Sequence, residues 1–308
     1  MNSPALPAIL LAKLQRLAAD PGRGAAQRLL HGRGGCHPGL EQVTVEALAP
    51  VLAVICHGPP PAWLPALSSA FTHLLAGCGF THLAIQHRDQ LGAPWSWPVG
   101  APLEQSWARL PEGPRLLLRF AAQNFGVFTD AAHLRAWLHC EARAARVLNL
   151  FAYTGALSLA ALQGGASSVL NVDMSKAALD WARANHLAND WQAPRVTYAP
   201  LNVLTSAGRI GRRGPFDLVL IDPPTRQAGS FDAARDYGKV LRRLPGWVAP
   251  GGRAALCLNA PNLPWDWLQA QAEQHCPDWV CTRLAPAAEI DERDPDRGLK
   301  VLLLTAPR

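Results

Sequence analysis

Residues Arg146 to Asp190 constrain the fold more than any other stretch. Val147, Leu148 and Leu150 surround the polar Asn149 in a run that reads as a buried parallel strand. Phe151-Ala152-Tyr153-Thr154-Gly155 turns the chain, and Ala156 to Leu162 follows as a small-residue helix stopped by Gly164-Gly165. A second apolar run, Ser168 to Val172, ends in Asp173. Ser175 then stands in N-cap position for a helix running to about Ala188, with Ala178, Leu179 and Ala182 on the face that meets a sheet. Strand, turn, helix, strand and acid make the first half of a doubly wound α/β fold.

The acid defines a ligand class. A carboxylate at the end of the second strand of such a fold can accept both hydroxyls of a ribose; a plain helix-capping role is the alternative for Asp173. A dinucleotide site needs G-x-G-x-x-G, and a P-loop needs G-x-x-x-x-G-K-[ST]. This turn has the single glycine Gly155, with Tyr153 and Thr154 before it, and the chain has no P-loop. A ribose acid without a phosphate cradle fits a nucleoside lacking phosphates, such as S-adenosyl-L-methionine.

A second anchor is FDLVLIDPPT, Phe216 to Thr225. Leu218 to Ile221 reads as an apolar strand that delivers Asp222-Pro223-Pro224-Thr225 to the sheet edge where ligands bind. Two prolines keep the backbone extended and remove two amide donors, so nearby carbonyls stay available as acceptors. An acid beside such a turn can grip a planar, amino-bearing ring. An ordinary strand-ending turn is the alternative.

Together with GSFDAARDYGKVLRRLP and APGGRAALCLNAP, these segments resemble class I S-adenosylmethionine-dependent methyltransferases. Within them the chain is similar to the group that includes the bacterial 23S ribosomal RNA large-subunit methyltransferases K/L and I. The resemblance is close over residues 115–308 and looser before. It implies a Rossmann-like α/β methyltransferase sheet over residues 123–308; the strand-like runs and helix before it read as a small α/β accessory domain over 1–122. It implies a cofactor site made of Phe128, Asn149, Phe151, Tyr153, Thr154, Gly155, Asp173, Met174, Ser175, Asn202, Val203 and Asp222. Gln123, Gly126, Phe128, Asp130 and Arg135 match the segment that leads into the family's catalytic domain, whereas Ala132 stands where the family often has Arg. Asn202 stands where relatives usually carry an acid against the adenine amino group; its carbonyl can accept there and its amide can donate to a ring nitrogen. The family also makes the Gln227–Ser230 loop and the Phe231–Leu244 helix, with Arg235, Lys239, Arg242 and Arg243, a rim for the target.

Asn259 bears on the target base. Methylating carbon 5 of cytosine needs a cysteine that adds to carbon 6. Aligned on Gly251-Gly252, cytosine-type relatives carry that cysteine where Asn259 stands, and guanine-type relatives carry Asn. Cys257 shares strand parity with Asn259 but lies deeper. Guanine is therefore preferred, with Asp222, Pro223, Pro224 and Asn259 as the catalytic, base-positioning set. Cytosine carbon-5 methylation, and a protein or small-molecule methyltransferase with the same cofactor site, are the alternatives. A non-catalytic RNA-binding derivative is disfavoured by Gly155, Asp173 and Asp222.

The chain has 308 residues, 49% of them apolar and 17% charged, which fits a globular protein with room for two domains. A net charge of +6 favours an RNA partner, with surface solubility as the alternative. The seven cysteines are odd in number and include no C-x-x-C pair, which reads as free thiols in a reducing cytoplasm. Cys276 and Cys281 with His275 have poor spacing for zinc, so no metal is expected. The first twenty residues read as an amphipathic helix rather than a signal peptide, and no apolar run reaches membrane-spanning length. Residues 24–39, rich in Gly and Arg, read as a linker or a phosphate-following loop. Strand-like runs are expected at Val43–Cys56, His82–Arg88 and Arg115–Ala122, and a helix at Trp63–Ala76. Trp95 and Trp97 fit base stacking or, better, packing. Arg209, Arg212 and Arg213 mark a basic loop over Thr205–Gly214. Further strands are expected at Arg195–Val203, Ala254–Leu258, Trp279–Leu284 and Leu299–Thr305.

Overall fold

A computed structural model describes residues 4–19, 24–75, 77–227 and 230–308. The chain divides into two compact units, Met1–Ala132 with Ala287–Arg293, and His133–Pro286 with Asp294–Arg308.

The first unit opens with α1 (Ala8–Ala19), whose Leu10, Leu14 and Leu17 recur at helical spacing and are buried. Then come β1 (Gln27–His31), β2 (Val43–Leu48), β3 (Val51–Cys56), α2 (Leu64–Leu74), β4 (His82–His87) and β5 (Trp95–Val99), followed by a hairpin of β6 (Gln105–Arg109) and β7 (Arg115–Arg119). The sheet order is β1-β2-β3-β4-β5, antiparallel except for the β3–β4 pair that α2 bridges. Three expectations are corrected. Val43–Cys56 is two strands, because Ala49-Pro50 breaks the run and β3 folds back on β2. Residues 24–39 are no mere linker: they hold β1 and a 3-10 turn at Gly32–Gly34, since Leu29 and Leu30 bury among the glycines and arginines. The helix expected to reach Ala76 ends at Leu74, and Ala76 lies outside the described residues. Trp95 and Trp97 pack edge-on against Phe120, at 5.2 and 5.1 Å between ring centres.

The second unit runs α3 (Ala132–Glu141), β8 (Arg146–Leu150), α4 (Ala156–Gln163), β9 (Ser168–Asp173), α5 (Lys176–Leu187), β10 (Val196–Pro200), α6 (Ala207–Gly211) and β11 (Phe216–Ile221). A short hairpin of β12 (Arg226–Gln227) and β13 (Phe231–Asp232) precedes α7 (Ala233–Leu241), β14 (Val248–Leu258), α8 (Trp265–His275), β15 (Val280–Arg283) and β16 (Lys300–Thr305). The sheet order is β10-β9-β8-β11-β14-β16-β15. Its first five strands are parallel, and β16 is antiparallel to both neighbours. The order reverses between β8 and β11, and in an open α/β sheet ligands bind beyond the strand ends at that point.

Alternation along the strands feeds two apolar layers. Leu148, Leu150 and Val172 join Tyr237, Val240 and Leu268 on one side, while Val147, Val169 and Leu218 join Leu134, Leu138 and Leu157 on the other. The strand expected from Ala254 begins at Val248, because Pro250-Gly251-Gly252 forms a bulge inside it rather than a boundary before it. The register steps from Phe216↔Val248 to Leu218↔Arg253, and Gly251 has φ 70°. The Phe231–Leu244 helix covers only Ala233–Leu241, because Phe231-Asp232 pair with β12; Ala228 and Gly229 of the preceding loop lie outside the described residues. The basic Thr205–Gly214 loop contains α6, anchored by the fully buried Ile210.

Candidate cofactor and base site

The turn after β8 is built on unusual backbone. Phe151, Tyr153 and Gly155 have φ of 56°, 45° and 77°, the left-handed region that side chains with a Cβ rarely adopt. Gly155 is required on a second count. A Cβ there would lie 2.8 Å from His186 Cε1 and 3.0 Å from Ser158 Oγ. The Ala152 amide donates to the Val172 carbonyl at 3.0 Å, which joins the turn to β9.

Asp173 ends β9 and is half-buried. Its Oδ2 accepts the Tyr153 amide at 2.9 Å and its Oδ1 accepts the Ser175 amide at 2.8 Å. A carboxylate offers about four acceptor sites. One donor on each oxygen fixes the group's plane and leaves each oxygen able to accept one ribose hydroxyl. The Asp173 carbonyl accepts the Leu201 amide at 3.0 Å, which brings the Asn202-Val203 turn to the same edge. Ser175 caps α5 by accepting the Ala178 amide at 3.2 Å.

The other predicted cofactor residues take different places. Tyr153 and Phe151 are half-buried and meet the rings of Trp181 and Phe231 at 5.8 and 5.1 Å. Thr154 is buried and Met174 is exposed. Asn149 is buried in the sheet, where its Nδ2 donates to Asn171 Oδ1 at 3.0 Å, on the layer beneath α4. Asn202 Oδ1 accepts the Leu204 amide at 2.9 Å in a side-chain turn, so its Nδ2 is the group left to reach a ring nitrogen. Val203 is buried. Phe128 belongs to the first unit and is exposed; near it Asp130 lies 3.6 Å from Arg28, and Thr129 donates to Glu46 at 2.5 Å.

Asp222 and Pro224 are half-buried at the end of β11, with Pro223 buried between them. The Thr225 hydroxyl donates to the Asn259 carbonyl, and the Ala233 amide donates to the Thr225 carbonyl at 3.0 Å. Thr225 therefore ties the acid-proline turn to the end of β14. Asn259 is exposed there, whereas Cys257 is 1% exposed within the layer that holds Val301 and Leu138. The Tyr237 hydroxyl donates to the Cys257 carbonyl at 2.9 Å.

Charge along the expected rim is partly spent internally. Asp236 is buried and accepts from Arg235 at 2.7 Å and Lys239 at 2.8 Å, and from the Asp232 amide at 3.0 Å. The Arg235 hydrogen bond, with Lys239 and the amide, holds its carboxyl far below the usual range. Arg242 and Arg243 are exposed on the turn after α7, and Arg209, Arg212 and Arg213 are exposed near α6. Burial pushes the Cys276 thiol up to about 11. Among the described residues no group of three His, Cys, Asp or Glu could hold a metal, and no helix is long and apolar enough to cross a membrane.

An acid after β9, a lone-glycine turn after β8 and an acid-proline turn after β11 stand at the carboxyl ends of the strands flanking the switch point. The sequence profile of the S-adenosylmethionine-dependent methyltransferases matches residues 27–305, and the chain belongs to that family. S-adenosylmethionine supplies an electrophilic methyl group on a sulfonium sulfur. The chain is 40% identical to the ribosomal RNA large subunit methyltransferase K/L of Pseudomonas putida over 132 residues, 41% of this chain and 18% of the relative. It is 34% identical to the K/L enzyme of a Shewanella species over 148 residues, 46% of this chain and 21% of the relative. The match thus spans about a fifth of the length of these curated relatives. A solved methyltransferase complexed with S-adenosylhomocysteine shares the fold at a TM-score of 0.80 and 21% identity, over 99% of this chain and 83% of the other.

Sequence reasoning missed Asn185, Ser158 and His186, which lie directly behind the Thr154-Gly155 turn. A signal was present. Asn185 and His186 continue the Ala178, Leu179 and Ala182 stripe of α5 at helical spacing, so they are polar residues on a buried face.

Proposed function

We propose that the chain methylates a base, guanine in preference, in 23S ribosomal RNA, and works in the cytoplasm. The observation that carries the base assignment is the end of β14: Asn259 is exposed beside the acid-proline turn while Cys257 is packed in the core. Cytosine chemistry would need a thiol able to reach the ring. Guanine N7 carries no proton on its lone pair, so its methylation needs neither a base nor a nucleophile. It needs placement in line with the donor methyl in a dry pocket. Asp222, the carbonyls around Pro223 and Pro224, and Asn259 provide that placement. Asp173 holds the ribose of the cofactor, and Asn202 Nδ2 meets its adenine.

The names of the K/L relatives support RNA as the acceptor. The exposed Arg209, Arg212, Arg213, Arg242 and Arg243 support it as well, since backbone phosphates are met by such side chains. Residues 1–122 act as an accessory RNA-contacting domain and residues 123–308 as the methyltransferase domain. A base inside folded RNA is extruded to reach the site.

The test is transfer of a labelled methyl group from S-adenosylmethionine to total RNA from cells lacking the protein, followed by digestion to nucleosides. The expected product is 7-methylguanosine, and Asp222→Ala lowers the rate by about a hundredfold or more, as loss of base placement would. Labelled 5-methylcytidine would overturn the base assignment. Unlabelled RNA, with cofactor binding intact, would overturn the RNA assignment in favour of a protein or small-molecule acceptor.

A further inference from the structure

The cofactor turn holds two residues, Phe151 and Tyr153, in left-handed backbone despite their side chains. Such a conformation persists only where its surroundings over-determine it. Asp173 secures one side by accepting the Tyr153 amide. The opposite side is secured by α4 and α5. Asn185 Nδ2 donates to the Thr154 carbonyl at 2.8 Å. The Ser158 hydroxyl lies 2.8 Å from the Gly155 carbonyl and 2.8 Å from His186 Nε2. His186 Nδ1 lies 2.6 Å from the Ala182 carbonyl and 3.0 Å from the Tyr198 hydroxyl. The His186 ring also fills the space in which a Gly155 side chain would stand.

Ser158, Asn185 and His186 are all fully buried. Buried polar groups cost free energy unless bonded, and apolar residues would pack α5 as well. Ala178, Leu179, Trp181 and Ala182 already bury the rest of that helix. What these polar side chains add is a fixed position for two consecutive peptide planes, those of the Thr154 and Gly155 carbonyls.

We propose that Asn185 and His186 are positioning residues that hold the 151–155 turn in its binding conformation before the cofactor arrives, and so set the affinity for S-adenosylmethionine. Pre-ordering spares the ligand the cost of ordering the turn. The inference rests on the family's cofactor and is independent of the acceptor.

The test is calorimetric titration of S-adenosylmethionine into the full chain, with melting curves in the presence and absence of ligand. Asn185→Ala is expected to weaken binding about tenfold or more, as loss of a buried hydrogen bond would. Its ligand-induced rise in melting temperature shrinks accordingly. His186→Leu behaves likewise, and His186→Gln, which keeps a donor and an acceptor, recovers most of the affinity. Tyr198→Phe removes only a hydroxyl at the far end of the network and weakens binding by about two- to threefold; if Asn185→Ala does not fold, this variant decides. Wild-type affinity in the folded variants would overturn the proposal. So would an equal loss of melting temperature with and without ligand, which is the mark of a purely structural role.

Discussion

His186 is buried beside Gly155, and burial holds its imidazole down at about 4. Its Nδ1 lies 2.6 Å from the Ala182 carbonyl and 3.0 Å from the Tyr198 hydroxyl, its Nε2 lies 2.8 Å from the Ser158 hydroxyl, and Arg183 lies 4.8 Å over the Tyr198 ring. Between pH 6.5 and 4 the unfolded chain takes up a proton that the native imidazole refuses, so stability falls as the pH drops through that window. The loss is on the order of 3 kcal/mol once pH 4 is passed. His57 in the first unit is lowered to about 4 as well, by burial and then by Arg33 and other cations, so the whole chain loses more. Denaturant unfolding of wild type against His186→Gln isolates one share: the variant should lose less stability from pH 7 to pH 4. Parallel loss in both proteins would contradict the assignment. The same scale separates Asn259 from Cys257. Two positions apart at the end of β14, Asn259 is exposed and Cys257 is buried in the core, which is the contrast the proposed base assignment rests on.

At the scale of elements, the strand-turn-helix of β8 and α4 carries the proposed cofactor site. Its turn depends on Gly155 twice, for a φ of 77° and for space against His186. Gly155→Ala should therefore destabilise the chain by at least the roughly 1–2 kcal/mol of a left-handed alanine, measured by denaturant unfolding, and should weaken cofactor binding more than the stability change explains. An unchanged affinity would show that the turn is not the cradle. The elements around this turn are legible in the sequence because each apolar run ends in a residue with one conformational meaning: Gly155, Asp173, Asp222-Pro223-Pro224. β1 is not legible, since its five residues stand amid glycines and arginines and gain strand character only by pairing with β2. α8 is not legible either. Its Trp and Gln residues show little periodicity, and only Leu268 and Ala272 are buried. The bulge in β14 reads as a boundary because Pro250-Gly251-Gly252 has the composition of a turn.

At the scale of the molecule, the motifs that point to the cofactor are concentrated in the second unit, where the strand order and the acid-bearing strand ends agree, with the Gln123–Asp130 segment at the end of the first, and the family profile spans residues 27–305. Before that segment the first unit has no comparable motif; its sheet is set by long-range pairing among short apolar strands, which local sequence does not specify. Net charge of +6 says little by itself, because it does not say where the cations stand: Arg235 and Lys239 are held by Asp236, while Arg242 and Arg243 are exposed. A map of modified nucleotides in the large-subunit ribosomal RNA of cells with and without this protein tests the proposed reaction directly. A methylated guanine is expected to lose its methyl group when the protein is absent and to regain it with the wild type but not with Asp222→Ala. An unchanged map, or the loss of a methylated cytosine instead, would contradict the proposed reaction.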